Sequence, residues 1–287
     1  MPVWGEQHID WFFKYTLPSL LKANNLPLVS LNKEVQFCFY TKDNDLLAIE
    51  TKMKSMAPLY NFTVVVESFF DDFARDMMSN FFIDITERSI RNKALMLIAQ
   101  PDLIFSNGTV NNLVELSDGK GVSIAVAHPR VSFESFMSKK IDVEDLSENT
   151  LEMVETALNI QHSTLKQAEE TDDQNSTLMG VSTRKISNGL AVIHNLPAVY
   201  LCSPIKDDLV FFKRRCEFNI IDKHWTSLLF RQSRLKIIGS SDIAFIMELT
   251  FDSVKTSLDS GLRFNDKHNG SDFVKFMNVL VSHWRNK

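Results

Sequence analysis

Short apolar runs alternate with amphipathic helical patterns through the first half of this 287-residue chain. The runs at 35–41, 62–66, 102–105 and 122–127 are too short for typical helices, and they are rich in β-branched and aromatic residues or continuously apolar. The segments between them repeat apolar residues at helical spacing. Because neighbouring parallel strands are joined through a crossover, usually a helix, this order predicts an α/β fold with a mostly parallel sheet flanked by helices.

Composition and charge narrow the classes of function. The chain is 44% hydrophobic and 23% charged with a net charge of -5, which is typical of a globular protein and argues against nucleic-acid binding through bulk electrostatics. A nucleic acid remains possible as an acceptor. No apolar run approaches the roughly 20 residues of a membrane span. Cys38, Cys202 and Cys216 lack metal-site spacing, so we expect buried free thiols and a cytoplasmic protein.

The second half has a different pattern. An acid-rich segment at 142–173 keeps one apolar stripe and predicts a long surface helix, followed by a polar loop at 171–177. Short apolar runs then lead to a predicted apolar helix at 244–249. We therefore expect two halves of one domain, 1–135 and 136–287, with a C-terminal α+β region.

Asp102 begins the first group of residues that could carry chemistry, with Ser106, Asn107 and Gly108 close behind it. A carboxylate and a polar turn at the carboxyl end of a buried strand can hold a divalent ion against a diphosphate. The alternative is purely structural, because Pro101 before Asp102 and the Asn107–Gly108 pair are also ordinary turn residues.

A basic helix forms the second group and leads into that strand. Arg88, Arg91 and Lys93 could reach diphosphate oxygens, which a guanidinium group binds well. Alternatively they form a solvated face paired with Asp84 and Glu87, whose spacing also resembles a helix-capping box. Arg130 is a further candidate outside this helix: it follows the run at 122–127 and could contact a phosphate or an acceptor.

The third group comprises Asp222, His224, Trp225, Asp242 and Glu248. The two aspartates and the histidine offer a general base or a metal ligand, and the tryptophan offers a surface on which a sugar ring can stack. In the structural alternative, the serines at 240–241 cap a helix that begins near Asp242, and Trp225 belongs to the core.

Four stretches together resemble a known family: residues 3–6 (VWGE), 17–21 (LPSLL), 39–41 (FYT) and 101–108 (PDLIFSNG). They are similar to a poorly characterised group of bacterial and phage proteins related to GT-A glycosyltransferases. The resemblance covers roughly residues 1–135 and, more loosely, 222–250. It implies a GT-A-like fold that binds a nucleotide sugar across the first half of the sheet, residues 1–135, with the acceptor half in 136–287.

The resemblance also implies roles for individual residues. Trp4, Gly5 and Glu6 would contact the base or ribose, with Thr41 and Asp43 in the neighbouring loop. Asp102 would begin a metal-binding Asp-x-Asp motif. The acceptor-side base or a metal ligand would come from Asp222, His224 and Asp242. Position 104 is Ile, so the second acid of the motif is missing. A divalent metal, Mn or Mg, would be held by Asp102 and Asp242.

These observations predict a glycosyltransferase that moves a sugar from a nucleotide-diphosphate donor to a hydroxyl-bearing acceptor. The alternative is a non-catalytic protein of the same fold that acts as a scaffold or binding subunit in a larger assembly. The missing second acid and the 22 phenylalanines favour that alternative, since aromatic residues beyond those a core needs would form an exposed apolar patch.

Overall fold

Strands and helices alternate along the chain, which has a mixed α/β fold. A computed structural model describes residues 1–60, 62–68, 74–117, 121–126, 128–163, 181–186, 189–194, 198–215 and 221–253. The strands are β1 (Gln36–Thr41), β2 (Thr63–Ser68), β3 (Met96–Leu97), β4 (Leu103–Phe105), β5 (Ser123–Val126), β6 (Arg130–Ser132), β7 (Val181–Ile186), β8 (Gly189–His194), β9 (Ala198–Cys202), β10 (Leu235–Ile238) and β11 (Ile246–Thr250).

The helices begin near the N-terminus, where a short π-helical stretch (Phe12–Thr16) joins α1 to α2 and Pro18 falls in the first turn of α2. They are α1 (Glu6–Trp11), α2 (Leu17–Leu20), α3 (Leu26–Ser30), α4 (Asp43–Tyr60), α5 (Ala74–Asn92), α6 (Thr109–Leu116), α7 (Phe133–Ser138), α8 (Val143–Glu148), α9 (Thr150–Asn159), α10 (Lys206–Arg215) and α11 (Ile221–Arg231). Within the described ranges, no helix is long and apolar enough to cross a membrane.

Parallel pairing organises the start of the chain, as the strand–helix order predicts. The expectation of a mostly parallel sheet is wrong for the described strands as a whole, which form several sheets with more antiparallel than parallel pairs. β1 and β2 pair in parallel across α4, and Pro2 forms a parallel bridge with Tyr40 on β1. The carboxyl ends of these three segments therefore meet at one edge. That edge brings the residues after Val3 and after Tyr40 close together in space.

Two further sheets combine strands from both halves of the sequence. One has the order β10-β5-β9-β3 and the other β4-β11-β6. β5 pairs in parallel with β10, whereas β9 is antiparallel to both β5 and β3, so β3 and β5 run in the same direction. The carboxyl ends of β3 and β5 consequently lie at the same edge, from which the chain continues to Asp102 and His128.

The acid-rich segment does not form one long helix. It is broken into α8 and α9 at Asn149, whose side chain accepts hydrogen bonds from the backbone N–H groups of Leu151 and Glu152 at 3.1 and 3.3 Å. A side chain that caps a new helix stops the previous one. Residues 164–173 and the predicted loop at 171–177 lie outside the described residues.

The predicted helix at 244–249 is also wrong, because residues 246–249 belong to β11 and the two residues before them are not helical. Its Ala, Met, Glu and Leu residues favour a helix, but β11 is paired on both sides, antiparallel to β4 and parallel to β6. Tertiary pairing overrides helix propensity here. The proposed capping box at Asp84 and Glu87 is likewise wrong, since both residues lie inside the continuous helix α5.

The cysteines agree with the predicted free thiols where the structure describes them. Cys202 is a buried free thiol, and Cys38 is free and half-buried. Burial raises the pKa of Cys202 to about 12, which leaves it an inert core residue. Cys216 lies outside the described residues.

Candidate functional site

The loop after Val3 meets the loop after β1, at the edge where the parallel segments end. The Val3 N–H donates to the Tyr40 carbonyl at 2.9 Å, and the Gly5 N–H donates to Asp45 Oδ2 at 2.7 Å. Gly5 has a φ of +77°, which a residue with a side chain adopts with strain. The predicted donor-site residues of both loops are thus adjacent: Trp4, Gly5 and Glu6 on one, Thr41 and Asp43 on the other.

A cavity of about 150 Å³ opens beside Trp4. It is lined by Pro2, Val3, Trp4, His8, Gln100, Pro101 and Asp102. Its walls are mainly apolar, with an imidazole, an amide and a carboxylate as polar groups, and such a composition suits a small polar ring bound by stacking and a few hydrogen bonds. The cavity joins Trp4 to Asp102, two predicted site residues almost 100 positions apart in sequence.

Asp102 lies in a turn between β3 and β4. Its carbonyl accepts a hydrogen bond from the Leu249 N–H at 2.8 Å, which anchors the turn to β11. Its Oδ1 is buried and has no hydrogen-bond partner in the part of the chain that the structure describes. A residue that lines the cavity therefore retains a buried oxygen with an unused acceptor.

The structure separates Asp102 from the polar residues predicted to act with it. Asp102 precedes β4, whereas Ser106 and Asn107 follow it, at the other end of the strand. Ser106 Oγ is buried 2.8 Å from Thr109 Oγ1, and the Asn107 side chain donates to Glu148 at 2.7 Å and accepts from the Asn24 N–H. Both side chains are engaged within the fold, and neither lines the cavity beside Asp102.

Glu248 on β11 lies near Asp102 and is the centre of a second group of charged and polar side chains. Its Oε2 lies 2.9 Å from His128 Nε2, and its Oε1 lies 3.0 Å from Arg130 Nε and 3.2 Å from Thr250 Oγ1. Two oxygens thus contact three donor groups. His128 and Glu248 are both largely buried, while the Arg130 side chain is 42% exposed.

The two carboxyl groups of the site have opposite electrostatic surroundings. Burial raises the pKa of Asp102 to about 7, and the nearby Glu248 carboxylate raises it further against the opposing charge of Arg130. Burial alone would also raise the pKa of Glu248, but the His128 hydrogen bond and Arg130 outweigh it and lower that pKa to about 2. Near neutral pH, Glu248 is ionised and Asp102 lies close to its midpoint. Such separated pKa values are common at functional sites.

The basic helix does not provide three open cations. Arg88 on α5 is in ion pairs with Glu67 and Asp84, the latter at 3.6 Å, and Asp84 also accepts a hydrogen bond from Tyr40. Arg91 and Lys93 are exposed at the end of this helix. The structural alternative holds for Arg88, and Arg130 is the predicted cation that lies beside Asp102.

Asp242 lies at the opposite end of β11 from Asp102. The antiparallel register pairs Ile246 with Phe105 and Glu248 with Leu103, so Asp102 is near the end of β11 and Asp242 precedes its start. Asp242 is exposed in a turn where its N–H donates to Ser240 Oγ at 3.3 Å. A cleft shared by Asp102 and Asp242 is therefore contradicted by the structure.

The remaining late residues lie on or beside α11. Trp225 is buried, packs on Phe212 at 5.0 Å between ring centroids and donates to Asp208 at 3.0 Å, so it is a core residue and no platform for a sugar. Asp222 and His224 belong to the first turn of this helix, and their side chains lie outside what the structure describes.

Sequence reasoning did not assign His8, Gln100 and His128 to the site and grouped Glu248 with the wrong partners. The available signals were an acid within the otherwise apolar run at 244–249 and the His-Pro-Arg triplet after β5. Neither signal shows which segments converge. Pairing of β11 with both β4 and β6 brings them together.

These residues do not constitute a metal site on their own. Within the ranges that the structure covers, no three His, Cys, Asp or Glu side chains group as metal ligands. Asp102 offers one unused oxygen, whereas Glu248 is bonded to His128 and Arg130, and the Arg130 charge opposes a bound cation. Because Asp102 and Asp242 lie apart, the two residues predicted to hold Mn or Mg do not share a site.

Comparison with known proteins adds no family assignment. A scan against models of protein families gives no match, and a search of curated proteins finds no similar sequence.

Proposed function

We propose that the protein is a glycosyltransferase that moves a sugar from a nucleotide-diphosphate donor to a hydroxyl-bearing acceptor. The observation that carries this proposal is the cavity shared by Trp4 and Asp102. Open α/β sheets bind ligands beyond the carboxyl ends of their strands, and this cavity lies beyond the N-terminal bridge and β3. The parallel arrangement of that bridge, β1 and β2 supports the GT-A-like form of the fold.

The cavity residues suit the donor. Trp4 and the adjacent prolines offer apolar surface to a base or sugar ring, and His8 and Gln100 offer hydrogen bonds. Asp102 Oδ1 accepts a hydrogen bond from a hydroxyl group of the nucleotide-sugar donor. This bond provides the partner that the buried oxygen lacks among the described residues. Arg130 stands beside Asp102 and binds the diphosphate, because its guanidinium group is held at one side and exposed at the other.

In the reaction, the acceptor oxygen forms a bond to the anomeric carbon, and the bond from that carbon to the diphosphate oxygen breaks. The diphosphate leaves with the electron pair, while the acceptor proton passes to a base. Negative charge grows on the leaving oxygen, so a fixed cation such as Arg130 stabilises the transition state more than the ground state.

Titration calorimetry against nucleoside diphosphates and nucleotide sugars tests the proposal, with each ligand measured with and without manganese. We expect binding of at least one nucleotide, and we expect Trp4→Ala to weaken it by about five-fold or more, because a stacked ring contributes of the order of 1 kcal/mol or more. Phe230→Ala, which removes an exposed aromatic ring on α11, is the matched control. If none of these ligands binds, the proposed glycosyltransferase function is rejected.

A non-catalytic scaffold is the alternative outcome of that test. Among the described residues, Phe230 is the one aromatic side chain in the set of exposed large hydrophobics, and most of the other described phenylalanines pack in the three core clusters. The core thus accounts for most of the phenylalanines that the structure describes. Binding of no nucleotide together with stable self-association or partner binding would favour the scaffold.

A further inference from the structure

Glu248 occupies the centre of the three-stranded sheet at the site. It lies opposite Arg130 on β6 and opposite Leu103 on β4. Its N–H donates to the Pro129 carbonyl, and the next N–H, of Leu249, donates to the Asp102 carbonyl. The backbone at Glu248 is therefore fixed to both segments that carry the other charged groups of the site.

The side chain of Glu248 is equally restrained. His128 contacts one carboxylate oxygen, and Arg130 Nε and the Thr250 hydroxyl contact the other. An arginine bound through Nε has its guanidinium plane fixed, while its two terminal amino groups remain the natural donors to an anion. Arg130 has this geometry and the greatest exposure of the three ionisable groups, Glu248, His128 and Arg130.

We infer that Glu248 is a positioning residue, which together with His128 holds the Arg130 guanidinium in the orientation that binds the diphosphate of the donor. This inference rests on the proposed function and adds a role for two residues outside the cavity wall. Glu248 acts through Arg130 and does not contact the ligand. Its contribution is to order a long, flexible cation before the ligand arrives, so that less conformational entropy is lost on binding.

Replacing Glu248 by Gln separates positioning from simple charge. The change removes a negative charge close to the anion site, so electrostatics alone would tighten pyrophosphate binding. Loss of positioning has the opposite sign, because the amide holds a guanidinium less strongly than a carboxylate does. We expect Glu248→Gln to weaken binding of inorganic pyrophosphate about ten-fold.

The experiment is a double-mutant cycle on the full chain, with inorganic pyrophosphate as the titrant. Arg130→Gln should lose most of the affinity, and adding Glu248→Gln to it should change little more, because the two residues act as one unit. Glu155→Gln on α9 and Arg214→Gln on α10, both at exposed positions, are the matched controls and should bind as the unchanged protein does. Thermal melting of each variant verifies folding.

Two variants of His128 keep the test valid if Glu248→Gln is unstable. His128→Gln retains a donor for Glu248 and should keep the pyrophosphate affinity, whereas His128→Leu removes that donor and should lose several-fold. Unchanged or tighter binding by Glu248→Gln, or equal behaviour of the two His128 variants, would overturn the inference.

The outcomes also separate the inference from the proposed function. If the unchanged protein binds nucleotide sugars and the Glu248 variant keeps its pyrophosphate affinity, the positioning role alone is rejected. If pyrophosphate binding shows the expected coupling but no nucleotide or nucleotide sugar binds, the glycosyltransferase is rejected and the coupled anion site remains. Absence of pyrophosphate binding by the unchanged protein overturns the inference.

Discussion

Replacing Asp102 by Asn should stabilise the protein more at neutral pH than at pH 4, when each variant is compared with the unchanged chain at the same pH. Burial raises the pKa of Asp102 from 3.8 to about 7, chiefly because the ionised form is poorly solvated and secondarily because Glu248 is close. The folded state therefore binds a proton between these pH values that the unfolded state has already released.

The sign and the size follow from proton linkage. Where the folded state binds more protons than the unfolded state, the free energy of unfolding falls as the pH rises. Stability from the protonated carboxyl is fully present below pH 3.8 and is lost as the pH rises through about 7. At about 1.4 kcal/mol per pKa unit, the loss amounts to at most about 4 kcal/mol. An asparagine of the same shape does not ionise and avoids this loss.

Urea unfolding from pH 4 to pH 8, in buffer with a chelator, measures the effect. The difference in unfolding free energy between Asp102→Asn and the unchanged protein should increase with pH and level off above about pH 7. Asp242→Asn, the same change at an exposed position, is the matched control. A flat difference for Asp102→Asn would refute a raised pKa, and a falling one would show that the carboxylate is stabilised.

Three other changes test the structural assignments. Arg234→Ala should destabilise by about 3–5 kcal/mol in urea unfolding, because it leaves the fully buried Asp208 without its cation; a loss below about 1 kcal/mol would argue against this pair. Asn149→Ala should cost about 1 kcal/mol in the same assay through loss of the α9 cap, whereas Asn149→Asp should restore it. Asp242→Asn should leave nucleotide affinity in calorimetry unchanged, and a ten-fold loss would return Asp242 to the site.

Local sequence pattern alone determined several strands in the first half of the chain. The runs at 35–41 and 122–127 are β-rich or apolar and bounded by turn residues, and they form β1 and β5 within two residues of the expected ends. The helix between β1 and β2 follows from the helical spacing of apolar residues. The strand–helix–strand order then predicts the parallel pairing, which places Trp4 and Gly5 near the loop after β1. These features depend on interactions between residues close in sequence or on a simple rule of connection.

Tertiary structure decided β11 and the charged group around Glu248. Residues 244–249 have the composition of a helix, but 246–249 belong to a strand because β4 and β6 pair with its backbone groups on both sides. The same pairing joins Glu248 to Asp102, His128 and Arg130, which lie more than 110 positions earlier in the chain. Local spacing carries no information on such a contact, since strand pairing between distant segments depends on the whole fold. For that reason the sequence identified Asp102 and Arg130 as separate candidates, and the structure showed that Glu248 connects them.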